Sequence, residues 1–256
     1  VSILVNQVAE GPAGGGVVVL SGSLGSDLRM WEPQVEPLVE NGFRVVRYDH
    51  RGHGRSPVPA GPYSIADIGA DLIRLLDTLD VPRAHVVGLS LGGMTGMWAG
   101  AHAPERIASL VLCCTSAKLG PPESWAERAR AVRASGTRSI ADTTVSRWLT
   151  PGYAQGHPEL AGFLRQMLAD VPDDGYAACC GAIERMDLTG DLPEISAPTL
   201  VIAGAEDPAT PPEHGRRIAA AIPGARLEIV EGAAHLGNVE RPAQFTQLIL
   251  EHLKAA

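Results

Sequence analysis

The segment AHVVGLSLGGMTGMWAGAH, Ala84 to His102, constrains the chain more than any other. It begins with apolar, β-branched residues, as a buried strand does, and ends in a helix-compatible apolar run. Between them, Gly88-Leu89-Ser90-Leu91-Gly92 sets a serine at the centre of a pentapeptide whose ends lack side chains. The pattern predicts a strand that stops, a turn too tight for bulky neighbours, and a helix that starts at once. Ser90 would sit on the corner. The plainer reading is an ordinary strand-to-helix turn with Ser90 as its N-cap.

Strand-like and helix-like segments alternate along most of the chain. Val17-Leu20, Phe43-Tyr48, His85-Gly88, Ile107-Leu112, Thr199-Ala203 and Leu227-Val230 are short, rich in β-branched residues and mostly non-alternating. Strands covered on both faces look like this. In Ser64-Leu79, the residues Ile65, Ile68, Leu72, Leu75, Leu76 and Leu79 follow a helical period, with Asp67 and Asp71 nearer its start. A last helix is expected over Pro242-Leu253, carrying Phe245, Leu248, Ile249 and Leu253. The fold class is therefore α/β, a mostly parallel central sheet with helices on both faces. From 118 to 186 the alternation fails. Only helical segments occur there, best seen in Pro158-Ala169 with Leu160, Phe163, Leu164, Met167 and Leu168 on one stripe. We expect a core built from 1–117 and 187–256, with 118–186 as a helical cap over one end of the sheet.

At 256 residues and 45% hydrophobic content, the chain can bury a full core. A net charge of −8 argues against nucleic acid as a partner. No apolar run approaches the ~20 residues of a membrane span. No secretory leader is visible in the N-terminal segment, and it is the unpaired use of cysteine that favours a cytoplasmic location. The four cysteines fall as Cys113-Cys114 and Cys179-Cys180, which suits small buried side chains better than disulfides or a metal. No metal or organic cofactor is implied.

The charge is uneven. The stretch 118–186 holds eight basic and eight acidic residues, so the rest of the chain carries the whole excess. Within 118–147 the ratio is six basic to three acidic, with Arg128, Arg130, Arg133, Arg138 and Arg147 among them. Most of these fit a solvated helix face. One or two turned under the cap would meet an anionic ligand. Arg133, Trp125 and Trp148 are the candidate substrate contacts, although packing against the sheet is the plainer role for each tryptophan.

A serine hydroxyl becomes a useful nucleophile only beside a base that is itself oriented by an acid. LVIAGAEDPATPPE reads as a strand ending at Gly204-x-x-Asp207, and LEIVEGAAHLGNVERP as a strand followed by a loop that presents His235. Ser90, Asp207 and His235 thus fall at three strand ends in the order that such an elbow expects. Glu206 competes with Asp207, but the loop apex favours Asp207. Of the other histidines, His50 and His53 lie in YDHRGHGRS, His85 in a strand, and His102 on the helix after the elbow. His157, His214 and His252 read as surface residues. The oxyanion donors expected are the Leu91 N–H, directly after the serine, and the N–H of Ser23 or Leu24 after the early strand.

Together these residues resemble the α/β-hydrolase family over nearly the whole chain. YDHRGHGRS resembles its turn after an early strand, and HLGNVERP its usual ending. SGSLGSDLRMWEPQV, GLSLGGMTGMWAGAHAPERIASLVLCCTSAKLG and AAHLGNVERPAQF are more closely similar to the 3-oxoadipate enol-lactonases of aromatic catabolism. That resemblance implies opening of 3-oxoadipate enol-lactone, an anionic lactone, to 3-oxoadipate in the β-ketoadipate pathway. It also implies fusion to, or association with, a 4-carboxymuconolactone decarboxylase in some bacteria, this chain being only the hydrolase part. Another carboxylic-ester hydrolase or a perhydrolase is the alternative within enzymes. A ligand-sensing receptor on the same fold is the alternative outside them.

Overall fold

The computed structural model describes residues 2–256. Among the described residues, seven strands form one sheet: β1 (Gln7–Glu10), β2 (Val17–Ser21), β3 (Arg44–Tyr48), β4 (Ala84–Leu89), β5 (Ile107–Cys113), β6 (Thr199–Gly204) and β7 (Arg226–Val230). Their spatial order is β1-β3-β2-β4-β5-β6-β7. β1 runs antiparallel to β3, and all other neighbours are parallel. The sequence pattern leaves out only β1. Its QVAE is short, half-exposed and on the sheet's edge, so no apolar run marks it.

The connections are α1 (Glu32–Glu40), α2 (Ile65–Thr78), α3 (Leu91–His102), α4 (Pro122–Ser135), α5 (Ala141–Trp148), α6 (Pro151–Gly156), α7 (Pro158–Ala169), α8 (Asp173–Arg185), α9 (Pro212–Ala221), α10 (Gly237–Glu240) and α11 (Pro242–Ala255). α2 begins at a reciprocal cap: Ser64 accepts from the Asp67 N–H, and the Asp67 carboxylate accepts from the Ser64 N–H. It buries Ile68, Leu72, Leu75 and Leu76, the face its periodicity predicts. α3 has no polar face. Residues from Leu91 to Met97 are buried on every turn, as befits a helix wedged between the sheet and α2.

α4 to α8 all lie between β5 and β6, and among the described residues that stretch contains no strand. α4 packs along α8, and α5 against α7. Leu164, Met167 and Leu168 form the buried face of α7, whereas Phe163, expected on the same stripe, is exposed beneath the Arg29 guanidinium. All four cysteines are free and buried. His157 is exposed and His214 half-buried, but His252, read as a surface residue, is buried with its Nε2 3.2 Å from Pro198 O. The last helix is longer than expected, and its second half turns that imidazole inward against the sheet. No helix among the described residues is long and apolar enough to cross a membrane.

Because β2, β4, β5, β6 and β7 are parallel, the loops after them gather at one edge of the sheet, where open α/β folds place their ligands. Gly92 sets the closeness of that gathering. A Cβ on it would lie 2.0 Å from Ser21 O, so only glycine lets α3 meet the loop after β2. Gly92→Ala is expected to destabilise the protein by about 3 kcal/mol in urea unfolding, through overpacking against backbone. A midpoint equal to wild type would contradict that close approach.

Candidate active site

Ser90 stands between β4 and α3 with φ 55° and ψ −112°, a backbone conformation that L-residues rarely adopt. Such strain costs about 1–3 kcal/mol and persists only where the surroundings fix it. Here the Ser90 N–H donates to Cys113 O (2.9 Å), and Ser90 O accepts from the Met94 N–H (3.0 Å) and the Thr115 hydroxyl (2.7 Å). Gly88 is required as well, since a Cβ there would be 2.2 Å from Gly92 O.

Asp207 and His235 meet past the ends of β6 and β7. Asp207 Oδ2 accepts from His235 Nδ1–H at 2.8 Å, which leaves Nε2 as the imidazole's basic nitrogen. The Asp207 carboxylate also accepts from the Ala209 and Thr210 N–H groups (2.8 and 3.0 Å) and the Thr210 hydroxyl (2.7 Å). Burial alone would raise its pKa. The His235 pair and the Thr210 hydrogen bonds outweigh that and hold the carboxyl below its ordinary value. Glu206 is exposed. Thr210 is absent from the sequence reading, although Asp-Pro-Ala-Thr is a turn-prone run in which an aspartate commonly binds the next N–H groups.

The loop after β2 is held by both histidines of YDHRGHGRS. His50 Nε2–H donates to Gly22 O (3.0 Å), while His53 Nε2 accepts from the Gly25 N–H (2.9 Å) and its Nδ1–H donates to Arg51 O (3.1 Å). Gly22 O also accepts from the Gly92 N–H at 2.9 Å, which ties the loop to the first turn of α3. The Leu91 N–H lies at that helix start, where donors lack intrahelical partners. The Ser23 N–H is directed at Met30 Sδ (3.2 Å), a weak acceptor.

Ser90 and His235 both open on a cavity of about 330 Å³, also lined by Ser23, Leu24, Thr210 and, from the cap, Trp125, Arg128, Thr144, Arg147, Trp148 and Tyr176. The volume suits a small ligand. Of the five arginines, Arg128 and Arg147 reach the cavity. Arg133, the candidate substrate contact, does not: its side chain is exposed, 4.0 Å from Asp174. Position 133 follows buried Ala129 by one turn but falls at the exposed margin of the α4 face that Ala129 and Val132 bury, so spacing alone does not separate it from Arg128. Arg130 and Arg138 are exposed too. Trp148 is at once buried and a cavity wall, and half-buried Trp125 lines the same space. Arg128 Nε donates to the Tyr176 hydroxyl (2.8 Å) and Nη2 to the Thr144 hydroxyl (2.7 Å). Its charge has no acidic partner among the described residues. No group of three or more His, Cys, Asp or Glu among them could hold a metal.

Burial, with smaller contributions from His53 and Arg51, pushes the His50 pKa from 6.5 down to about 3, against the opposing Gly22 bond. The unfolded chain therefore binds a proton that the folded one refuses between those values. The stability tied to neutral His50 is present above about pH 6.5 and lost as pH falls toward 3. His50→Gln is expected to flatten the fall in urea midpoint between about pH 6.5 and 4. A slope equal to wild type would contradict a buried neutral His50.

A family model of the alpha/beta hydrolase fold matches residues 16–136 and 142–242. The 3-oxoadipate enol-lactonase 2 of Acinetobacter baylyi is 40% identical over 96% of this chain and 92% of its own length. The crystal structure of the enol-lactonase from Burkholderia xenovorans LB400 superposes with a TM-score of 0.95 at 40% identity, covering 98% of this chain and 96% of that one. A Variovorax paradoxus protein, provisionally assigned as the carbamate hydrolase RutD, is 33% identical over 95% of this chain and 94% of its own. The chain therefore belongs to the α/β-hydrolase fold family and, like its enol-lactonase relatives, is an enzyme that hydrolyses ester bonds.

Proposed function

We propose that the chain opens a cyclic enol ester bearing a free carboxylate, 3-oxoadipate enol-lactone, to the open-chain 3-oxoadipate of aromatic catabolism. Ser90 is the nucleophile, His235 the general base and Asp207 the acid that orients it. The observation that carries this reading is Arg128. Without an acidic partner, it faces the cavity that Ser90 and His235 also line. In a protein with eight excess negative charges, a cavity-lining cation without an acidic partner favours an anionic ligand. The enol-lactonase relatives support the same substrate class.

Ser90 Oγ gives its proton to His235 Nε2 and bonds to the lactone carbonyl carbon. The negative charge gathers on the carbonyl oxygen, where the Leu91 N–H and an N–H of the Ser23–Leu24 turn can stabilise it. Collapse breaks the ring C–O bond. The departing enol oxygen takes the proton from His235 and tautomerises to a ketone. Water then gives a proton to His235 and attacks the acyl carbon, and Ser90 leaves with that proton, releasing the diacid.

A second reading, carbamate or simple ester hydrolysis with the same side chains, is favoured by the RutD relative. Rates on freshly generated enol-lactone, a neutral aryl ester and a carbamate separate the two. The lactone should exceed the aryl ester at least about a hundredfold in kcat/KM, and Ser90→Ala should lower turnover of both by a factor on the order of 10³ or more. Arg128→Met should raise KM for the lactone about 10- to 100-fold, the loss of one charge-assisted contact, while sparing the aryl ester. Equal effects on both substrates would remove Arg128 from carboxylate recognition, and full activity in Ser90→Ala would remove the nucleophile.

A further inference from the structure

We propose that Glu240 is a positioning residue for His235, holding the histidine loop by bonding it to the cap. The inference rests on the reading of His235 as the base. Glu240 closes α10 and is 2% exposed, yet it forms no ion pair among the described residues. Neutral donors surround it instead. Its carboxylate accepts from the Ala234 N–H at 2.9 Å, from the Thr150 N–H at 3.2 and 3.3 Å, and from the Thr150 hydroxyl. Ala234 immediately precedes His235, and Thr150 opens α6 two residues after Trp148. On the other side of the histidine, the Leu236 N–H donates to Trp148 O at 2.9 Å.

The backbone is therefore fastened on both sides of His235 to one cap segment, 148–150. A buried carboxylate without a cation carries a desolvation cost, and only several converging donors offset it. No amide could accept from them all. Glutamine has one acceptor oxygen, which the Ala234 and Thr150 N–H groups would have to share, while its NH₂ would face the Thr150 hydroxyl and force that group to turn round and accept. Consequently Trp148, a cavity wall, and His235 share a mount. Segment 148–150 acts as a strut, and displacing it would carry the imidazole away from the Ser90 hydroxyl.

If Glu240 only anchored the cap, its loss would alter the melting temperature or KM. As a positioning residue, it should alter the chemical step. Glu240→Gln is expected to lower kcat about 10- to 100-fold with KM changed less than about threefold, the scale that misplacing a reacting group produces. It should also move the acid limb of the kcat/KM pH profile and the downfield proton resonance of the His235 Nδ1–H. Thr150→Val removes only the cap hydroxyl and should lower kcat less. The double variant should be no slower than Glu240→Gln alone, because both act through one carboxylate. Wild-type kcat and pH profile in the folded single variants, or losses confined to KM or melting temperature, would overturn the proposal. Should Glu240→Gln fail to fold, an unchanged kcat in Thr150→Val overturns it alone. His235→Ala run alongside keeps the two failures apart: if it retains full rate, the base assignment falls, and if it is inactive while Glu240→Gln is normal, only the positioning role falls.

Discussion

The strained backbone at Ser90 is the constraint on which the rest of the structure depends. A residue at φ 55° cannot hold itself there, so its neighbours are chosen around it. Gly88 and Gly92 leave room, Cys113 and Thr115 on the adjacent strand and its loop grip the serine's N–H and C=O, and α3 follows immediately. The reward is position. The serine is lifted off the sheet's end at a helix N-terminus, where both the dipole and unpaired N–H groups favour developing negative charge. The loop after β2 is then fixed to that corner by Gly22 O accepting from the Gly92 N–H, and the loops after β6 and β7 are fixed to each other by the Glu206 N–H to Ala233 O and Ala205 N–H to Val230 O bonds.

Electrostatics divide between the layers. The sheet portion holds the negative excess, and the cap is neutral overall, with two of its arginines, Arg128 and Arg147, lining the cavity. Arg128 is steadied by two hydroxyls and by the rings of Trp125 and Tyr176, 5.9 and 5.6 Å from its guanidinium carbon. Neutral partners orient a cation without neutralising it, which leaves its charge for a ligand. Asp207 shows the opposite arrangement. Four donors, His235 among them, converge on it and keep it ionised, so that it holds the imidazole in the tautomer whose Nε2 is basic.

Much of this is legible in the sequence because it rests on local rules. Parallel strands buried on both faces write continuous apolar runs, which is why β2 to β7 stand out and the half-exposed edge strand β1 does not. Gly-x-Ser-x-Gly marks its own turn, and the order Ser, Asp, His follows from where strands end. What escapes is contact across sequence. Which arginine turns inward depends on the face of α4 that packs against α8, so Arg128 replaces Arg133 for reasons no spacing rule contains. The burial of His252 and the bonds from Glu240 to Thr150 and Ala234 are likewise set by tertiary packing. Ser23 and Leu24 stay undivided in sequence because both line the cavity, and only the direction of their N–H groups distinguishes them.

The proposal underneath is chemical: that among the serines of this chain Ser90 alone is activated, by the His235 that lines the same cavity. Mass spectrometry after brief treatment with a serine-directed fluorophosphonate tests it directly. The predicted result is a single adduct per chain, on Ser90, formed in the wild type and lost in His235→Ala. Labelling on another residue, or a Ser90 adduct that forms equally fast without His235, would contradict it.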